Sequence, residues 1–146
     1  MSGSYAYVAA PASDSLVVVD ISNPASPVIR GSVVSSSLMD GARGVALSGS
    51  YAYVTSQSSP SLVVVDVSDP ASPVIRGSVV SSSFLSGAKV AVAVSGSYAY
   101  MTAHNSHSLV VIDVSIPASP VIRGSVVSSS LLGGVRVRPG ASRARM

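Results

Sequence analysis

The sequence contains no cysteine, no tryptophan and no glutamate among its 146 residues. Without cysteine the chain can form neither a disulfide nor a thiolate metal site, and its composition gives no sign of a redox compartment. Charged residues make up 10% of the chain and apolar residues 47%. No apolar run approaches the ~20 residues that a membrane-spanning helix needs, so we expect no membrane insertion. The apolar residues must therefore serve many short buried segments.

Basic residues are scarce outside the C-terminal end. Four arginines lie in the last eleven residues, and the preceding chain carries five Lys/Arg and six Asp, a net charge of −1. That part of the chain lacks the basic surface that nucleic acid requires, so no nucleic-acid partner is expected. The N-terminal segment MSGSYAYVAAPAS has neither a basic n-region nor a long apolar h-region. It therefore does not predict a signal peptide.

One unit is written three times along the chain. SGSYAYV occurs at 2–8 and 48–54 and as SGSYAYM at 95–101, and PASPVIRGSVVSSS occurs at 24–37, 70–83 and 117–130. Between these segments lie SLVVVD at 15–20 and 61–66, and SLVVID at 108–113. Near-identity at a spacing of 46 and then 47 residues predicts a repeat architecture.

The complete middle repeat predicts four strands. They are Ala42–Leu47, Tyr51–Thr55, Leu62–Val67 and Val74–Val80. Gly49 in the first connection can take a positive φ, as a tight hairpin turn requires. Pro70 and Pro73 fix φ and remove donors in the last connection, which is typical of a turn. Hairpin connections of this kind predict antiparallel strands.

The consecutive β-branched residues of SLVVVD indicate a strand buried on both faces, because a half-exposed strand would alternate. Four short antiparallel strands in each unit, stacked face to face, are typical of β-propeller blades. The fourth strand is the expected outer edge, with Pro73 and a solvated Arg76 discouraging pairing with another sheet. A right-handed β-solenoid is the alternative, although its coils are shorter and lack such hairpins. We predict an all-β fold, a β-propeller-like array of three four-stranded antiparallel blades, too few to close a conventional ring alone.

The repeats define a single domain over residues 1–137. Its copies span about 1–41, 42–87 and 88–134, and a basic tail predicted to be disordered follows at 138–146. The first copy begins at its second strand, and 131–137 aligns with the start of a further first strand. Three blades leave Val-rich faces open at both ends. The chain is then a fragment of a longer repeat protein, one half of a homo-oligomer that completes a ring, or an open array prone to aggregation.

The repeated motifs resemble those of the LVIVD-repeat family. The matching segments are SGSYAYV, SLVVVDVS at 61–68 and DPASPVIRGSV at 69–79, with further copies in 2–33 and 95–126, so that the resemblance covers about residues 2–134. It implies a β-propeller-like array without defined catalytic residues. It also implies a cell-surface or extracellular location, since such repeats are often part of bacterial or archaeal surface proteins.

The residues form no recognisable catalytic constellation. His104 and His107 would need further metal ligands, and no other His and no Cys is present, so we predict no metal site. Asp20, Asp66 and Asp113 each end a third strand and are predicted to accept backbone N–H bonds in the following turn. No phosphate loop or dinucleotide motif is visible, so no cofactor is expected. We predict that the protein is not an enzyme, and the weaker alternative is half of a propeller hydrolase or lyase site.

The three copies differ from one another mainly at one end of the blades, in the loops between strands two and three and between blades. Loops held on one rigid face are the usual place for binding, although unconstrained drift gives the same variation. We predict a non-enzymatic scaffold that binds a protein or glycan through this face, or else a purely structural surface array without a ligand. The candidate binding residues are Asp14, Asp40, Arg43, Gln57, Lys89, His104, Asn105 and His107.

Two tyrosines recur at i,i+2 spacing in each copy, so both members of a pair lie on the same face of the sheet. The pairs are Tyr5 and Tyr7, Tyr51 and Tyr53, and Tyr98 and Tyr100. Packing between blades is the favoured interpretation, and an aromatic platform for sugar is the alternative.

Overall fold

The computed structural model describes residues 3–86 and 91–132. Eleven strands lie in these residues, and they follow the repeat. Blade 1 contains β1 (Tyr5–Ala10), β2 (Ser15–Asp20) and β3 (Val28–Val34), with a single turn of 3₁₀ helix at Pro11–Ser13. Blade 2 contains β4 (Ala42–Ser48), β5 (Tyr51–Ser56), β6 (Ser61–Asp66) and β7 (Val74–Val80). Blade 3 contains β8 (Val92–Ser95), β9 (Tyr98–Ala103), β10 (Ser108–Asp113) and β11 (Val121–Val127).

Each blade is one antiparallel sheet whose strands lie side by side in chain order. The sheets have three, four and four strands, which confirms the predicted all-β, propeller-like array. The four predicted strands of blade 2 agree with the structure to within one residue at each end, and the fourth is the outer edge. The first connection is a tight turn in which Gly49 has φ +58°, as expected for this hairpin.

Among the described residues, the hydrophobic core forms two clusters, one at each junction between neighbouring blades. The junction of blades 1 and 2 buries Leu16, Met39, Ala42, Ala52, Val54, Val63, Val65 and Val67. The junction of blades 2 and 3 buries Tyr53, Leu62, Val64, Leu85, Val92, Ala99, Met101, Val110, Ile112 and Val114. Blade 2 therefore contributes apolar residues from both of its faces.

The strand β6 shows this two-sided burial most clearly. Val63 and Val65 face blade 1, whereas Leu62 and Val64 face blade 3, because successive side chains of a strand point to opposite faces. All four are 0% exposed. The prediction that SLVVVD at 61–66 is buried on both faces is confirmed.

The outer strand of each blade carries a β-bulge at its arginine. In blade 2, Val64 pairs with Gly77 and Val65 with Ile75, so Arg76 is the extra residue. The same shift occurs in blades 1 and 3. The bulge points the arginine in a direction that simple alternation along the strand would not give. Its side chain therefore reaches the end of the third strand.

Glycines in the outer strands let the next blade approach. A Cβ on Gly31 would lie 2.5 Å from the carbonyl oxygen of Pro70, and one on Gly77 would lie 2.7 Å from the carbonyl carbon of Ala118. Real Cβ atoms essentially never come so close to other atoms, so each glycine is required by the backbone of the neighbouring turn. The turn that precedes the outer strand of one blade thus packs against the outer strand of the preceding blade.

Three predictions concern residues outside the described ones: Lys89, the C-terminal strand fragment beyond residue 132, and the tail at 138–146. In the described part of the chain, no helix has the length and apolar character needed to cross a membrane.

Candidate binding face

The loops that vary among the copies meet at one end of the blades. The loops between strands two and three are residues 11–14, 57–60 and 104–107, and the described loops that follow each fourth strand are 35–41, 81–86 and 128–132. We call these six segments the loop face. The opposite end, the turn face, consists of the turns at 21–27, 67–73 and 114–120.

The loop face is built on the same hydrogen-bonded frame in every blade. Strands are counted here as in blade 2, so β2, β6 and β10 are third strands and β3, β7 and β11 are fourth strands. The carbonyl of the residue before each third strand accepts a hydrogen bond of 3.0 Å from the N–H of the first serine after the fourth strand. The hydroxyl of that serine accepts a bond of 3.2 Å from the N–H three residues later. The carbonyl residues are Asp14, Pro60 and His107, and the serines are Ser35, Ser81 and Ser128. These two hydrogen bonds therefore join the two loops of each blade in the same way while the side chains differ.

Three of the predicted binding residues come together where blades 1 and 2 meet. The Asp14 carboxylate accepts a hydrogen bond of 3.3 Å from the N–H of Gly41. The Gln57 N–H donates to the carbonyl of Gly41 at 3.2 Å, and the Ser58 N–H donates to the carbonyl of Asp40 at 3.2 Å. The Asp40 side chain is exposed, whereas Asp14 and Gln57 are half-buried. This neighbourhood presents the exposed carboxylate of Asp40 on a well-connected backbone.

Arg43 lies beside this neighbourhood, at the start of β4. The pairing with β5 shifts between Ala42 and Gly44, so Arg43 is the extra residue of a bulge. The Gly44 N–H donates to the Thr55 hydroxyl at 3.1 Å, which ties the bulge to the next strand. The Arg43 side chain is exposed. The bulge thus directs a positive charge outward close to the exposed Asp40 loop.

The blade 3 loop carries the remaining predicted residues. His104 and Asn105 are exposed and His107 is half-buried, with the two imidazole centroids 6.3 Å apart. The His107 N–H donates to the His104 carbonyl at 3.2 Å, and Ser106 ties the loop to Ser83 through a hydroxyl bond of 3.2 Å. The Nδ1 atom of His107 is buried and has no hydrogen-bond partner among the described residues.

The backbone at His107 has φ 48°, in the left-handed region, and Asp14 at the equivalent position of blade 1 has φ 51°. Blade 2 has Pro60 there, and the ring of proline excludes that conformation. The loops of blades 1 and 3 therefore share a geometry that blade 2 cannot adopt. Sequence reasoning missed this feature, although the two non-proline residues at this position were a signal for it.

Metal binding finds no support in the described loops. Among residues 3–86 and 91–132, no group of three or more His, Cys, Asp or Glu is placed to hold a metal ion. The arrangement offers exposed hydrogen-bonding groups, both carboxylate and guanidinium, on a rigid backbone. Groups of these kinds can form hydrogen bonds and ion pairs.

The turn face has a repeated structural arrangement. In blade 2 the Asp66 carboxylate accepts bonds from the Ser68 N–H at 2.9 Å and the Ser68 hydroxyl at 2.7 Å. Its other oxygen pairs with the Arg76 guanidinium at 3.1 Å. The predicted role of the strand-ending aspartates in the turn is confirmed. The arginine is half exposed, as expected for a solvated edge residue, but its pairing with the aspartate was not predicted.

The hydrogen bonds around these aspartates favour the ionised form. Bonds from the side chain and backbone of Ser22, and then from Arg30, lower the pKa of Asp20 to about 2. The pKa values of Asp66 and Asp113 are lowered as well, first by bonds from the serine two residues on. The recurrence of Asp and Arg ten residues apart in each copy was the sequence signal for this pairing.

The tyrosines differ between blades. Tyr53 is buried in the second core cluster, Tyr51 packs against the same cluster, and burial raises the pKa of Tyr53. This confirms packing between blades for the middle pair. Tyr98 in blade 3 is 41% exposed.

A model of the LVIVD repeat matches the chain at residues 1–35, 41–81 and 86–128. A search of the curated proteins found no match.

Two solved structures are similar in fold. A protein from Lactobacillus plantarum is 15% identical, with a TM-score of 0.70 over 85% of this chain and 39% of that one. A candidate 6-phosphogluconolactonase from Bacteroides fragilis is 10% identical, with a TM-score of 0.72 over 87% of this chain and 37% of that one. The chain thus spans less than two-fifths of the length of either protein. At such identities the likeness shows the fold alone.

Proposed function

The chain belongs to the LVIVD-repeat family, and we propose that it is a non-enzymatic, propeller-like repeat scaffold that binds a protein or glycan through its loop face. One observation carries this proposal. The three copies vary at the end of the blades where the same anchoring hydrogen bonds recur in each, whereas their turns at the other end are nearly identical.

The constant frame gives the variation its meaning. The anchoring bonds measure 3.0 Å in all three blades, although the backbone of blade 2 at Pro60 cannot adopt the positive φ of Asp14 and His107. Different side chains on one rigid frame are the arrangement that binding surfaces use. Asp40, His104 and Asn105 are exposed on the loop face and Arg43 is exposed beside it, and their groups suit hydrogen bonding to a polar ligand.

Catalysis has less support. The lactonase name belongs to the Bacteroides fragilis protein, which shares only 10% identity with this chain. In residues 3–86 and 91–132, neither histidine ring forms a hydrogen bond to a hydroxyl or to a carboxylate. A nucleophile activated by a base would require such a contact. Binding is therefore the function that the loop face favours.

A loop replacement with a matched control tests the proposal. The loop variant carries His104→Ser, Asn105→Gly and His107→Gly, since glycine tolerates the positive φ at 107. The control is Ile116→Asn on the turn face, which introduces the residue that blade 1 has at Asn23. The probes are a glycan array and a displayed peptide library, and hits are measured again by calorimetry. Circular dichroism verifies that both variants keep the fold.

We expect a ligand from either probe to bind the wild type and Ile116→Asn equally. The loop variant should bind it at least about tenfold more weakly, because the lost groups contact it directly. A ligand that still binds after all three loops between strands two and three have been replaced would place its site elsewhere and refute the face assignment. If neither probe yields a ligand, the purely structural array is favoured.

A further inference from the structure

The two end blades carry the two halves of an interface that occurs twice inside the chain. We propose that blade 3 of one copy binds blade 1 of a second copy head to tail, through the contacts that join blade 1 to blade 2 and blade 2 to blade 3. This inference goes beyond ligand binding and does not depend on the loop face.

Each interior junction has an acceptor half, supplied by the earlier blade. In blade 2 it consists of Leu62, Val64, Gly77, Val79 and Leu85. The glycine leaves room for the backbone of the next turn, where Ala118 lies, and the other four pack into or against the shared core. Blade 1 uses the equivalent residues Leu16, Val18, Gly31, Val33 and Met39.

Each junction also has a donor half, supplied by the later blade. In blade 3 it consists of Met101, Val110, Ile112, Pro120 and Ile122, of which the first four are buried. Blade 2 supplies Val54, Val63, Val65, Pro73 and Ile75 in the same way. The prolines lie in the turn that seats on the acceptor glycine, so they are covered by the earlier blade.

Blade 3 repeats the acceptor half, and no turn from the described residues covers it. The equivalent residues are Leu109, Val111, Gly124, Val126 and Leu132, and none is buried. A Cβ on Gly124 would have no atom within 4 Å, in contrast to Gly31 and Gly77. Val126 is 53% exposed, whereas Val79 packs on the core. This face has the shape of an acceptor, and no turn within residues 3–86 or 91–132 packs against it.

Blade 1 repeats the donor half, likewise uncovered. The equivalent residues are Val8, Val17, Val19, Pro27 and Ile29, and none is buried. Val8 is 46% exposed where Val54 is 0%, and Ile29 is 68% exposed where Ile75 packs on the core. Pro27 is exposed, whereas Pro73 and Pro120 are buried. The described residues thus leave one acceptor and one donor free.

A second copy fits this pair of faces because the docking element is the same peptide in all three blades. PASPVIRGSVVSSS is unchanged at 24–37, 70–83 and 117–130, so the turn at Pro24 and Ala25 presents the atoms that Gly31 and Gly77 already accommodate. Each aspartate–arginine pair lies within one blade. Docking therefore leaves neither charge of a pair without its partner. Burying two apolar faces favours association.

The contact joins unlike surfaces, so it is heterologous, and two copies close a ring if its rotation allows. Two copies carry six blades, a number within the range of propeller rings. If the rotation does not close, the same contact extends into longer chains.

Solution mass and two point variants test the proposal. The probe is the 14.6 kDa chain itself, measured by sedimentation velocity and light scattering over a range of concentrations. Gly124→Val fills the acceptor, and Ile29→Lys places a charge on the donor. Both residues are uncovered in the monomer, so circular dichroism should show each variant folded. Gly124→Ala is the milder alternative, should the valine variant fail to fold.

We expect the wild type to form a dimer or a longer assembly and each single variant to be a monomer at the same concentrations. An equimolar mixture of the two variants should recover a pair, because the Ile29→Lys copy keeps its acceptor and the Gly124→Val copy keeps its donor. His104→Ser on the loop face is the control and should retain the wild-type mass.

Three results would overturn the inference. The wild type could be monomeric at every concentration, either variant could assemble on its own as the wild type does, or the mixture could stay monomeric. None of these results bears on ligand binding by the loop face, so the two proposals fail independently.

Discussion

Blade 2 and the two end blades have nearly the same sequence, yet they bury it differently. SLVVVD at 61–66 and at 15–20 are identical, but Val63 and Val65 are 0% exposed while Val17 and Val19 are half-buried. The strand, its pairing partners and its register are the same in both blades. Burial here is therefore a property of the neighbouring blade, as expected when each repeat contacts only its neighbours.

The contacts within a blade show the opposite behaviour. The aspartate–arginine pair has N–O distances of 2.9, 3.1 and 3.3 Å in the three blades, with the arginine exposed to a similar extent in each. The bulge that brings the pair together also recurs in each blade. Local contacts are thus independent of position in the array, and apolar burial is not. Paired substitutions at equivalent positions can test this distinction.

The largest difference is expected between Leu62→Ala and Leu109→Ala. Leu62 is 0% exposed at the junction of blades 2 and 3, and its truncation should lower the free energy of unfolding by about 2–5 kcal/mol through lost burial and a cavity. Leu109 occupies the equivalent position on the open face and is half-buried, so its truncation should cost distinctly less. Urea titration, monitored by circular dichroism, measures both values.

Both leucine variants should be compared at a concentration where light scattering shows the monomer. Leu16→Ala in blade 1 is the matched check, because Leu16 is buried in the first junction and should behave as Leu62 does. Equal losses at 62 and 109 would mean that the open face is covered in solution even in the monomer.

Substitution of an outer-strand glycine should lower the free energy of unfolding at a junction between blades but not on the open face of blade 3. Gly77→Ala places a Cβ against the backbone of Ala118 and should lower the free energy of unfolding by about 1–3 kcal/mol, because the backbone must shift. Gly124→Ala meets nothing within 4 Å and should leave the monomer unchanged or more stable by up to ~1 kcal/mol, through reduced entropy of the unfolded chain. The midpoint of urea unfolding gives the sign directly.

Gly31→Ala should match Gly77→Ala, since the Pro70 carbonyl lies as close to that position. If Gly77→Ala proved as harmless as Gly124→Ala, the turn would not seat on the outer strand and the description of the junction would be incorrect.

The smallest effect, and one independent of position, is expected for the strand-ending aspartates. Asp20→Asn, Asp66→Asn and Asp113→Asn each remove a charge-assisted contact on an exposed face and should lower the thermal midpoint slightly and by similar amounts. Differential scanning calorimetry resolves shifts of this size. A much larger loss at Asp66 than at Asp113 would contradict the view that this contact is local.

The same carboxylates predict a dependence on pH. Hydrogen bonding lowers the pKa of Asp20 from its usual 3.8 to about 2. A lowered pKa contributes stability at pH values above 3.8, and that contribution disappears as the pH falls from there towards 2. Denaturation followed between pH 5 and pH 2 should show this loss in the wild type, and the loss should be smaller in Asp20→Asn. An unchanged profile in that variant would argue against the shift.

Much of the fold could be predicted because the repeat marks its own boundaries. The proline and glycine turns of the middle copy located four strands to within one residue, and the Val-rich run indicated burial on both faces. The bulge at Arg76 could not be predicted, because an extra residue in the outer strand depends on register rather than on residue type. Without knowledge of the bulge, the recurrence of an aspartate ten residues before each arginine was not interpreted as a pair, and Arg76 was interpreted as solvated.

The candidate site was less predictable. Antiparallel topology was enough to bring the varying loops to one end of the blades. The half-burial of Asp14 and His107 depends on neighbouring loops, and the positive φ at both positions depends on the conformation of the whole loop. Neither property belongs to the residue alone, so composition and spacing could not reveal it.

The seating of a turn on an outer-strand glycine has a consequence for how such chains lengthen. Every unit carries both the glycine and the turn, so duplication of one unit creates a new junction with no other substitution required. The terminal surfaces remain as they were, whatever the number of units between them. A protein built in this way can change its length by whole repeats during evolution while its interfaces need no redesign.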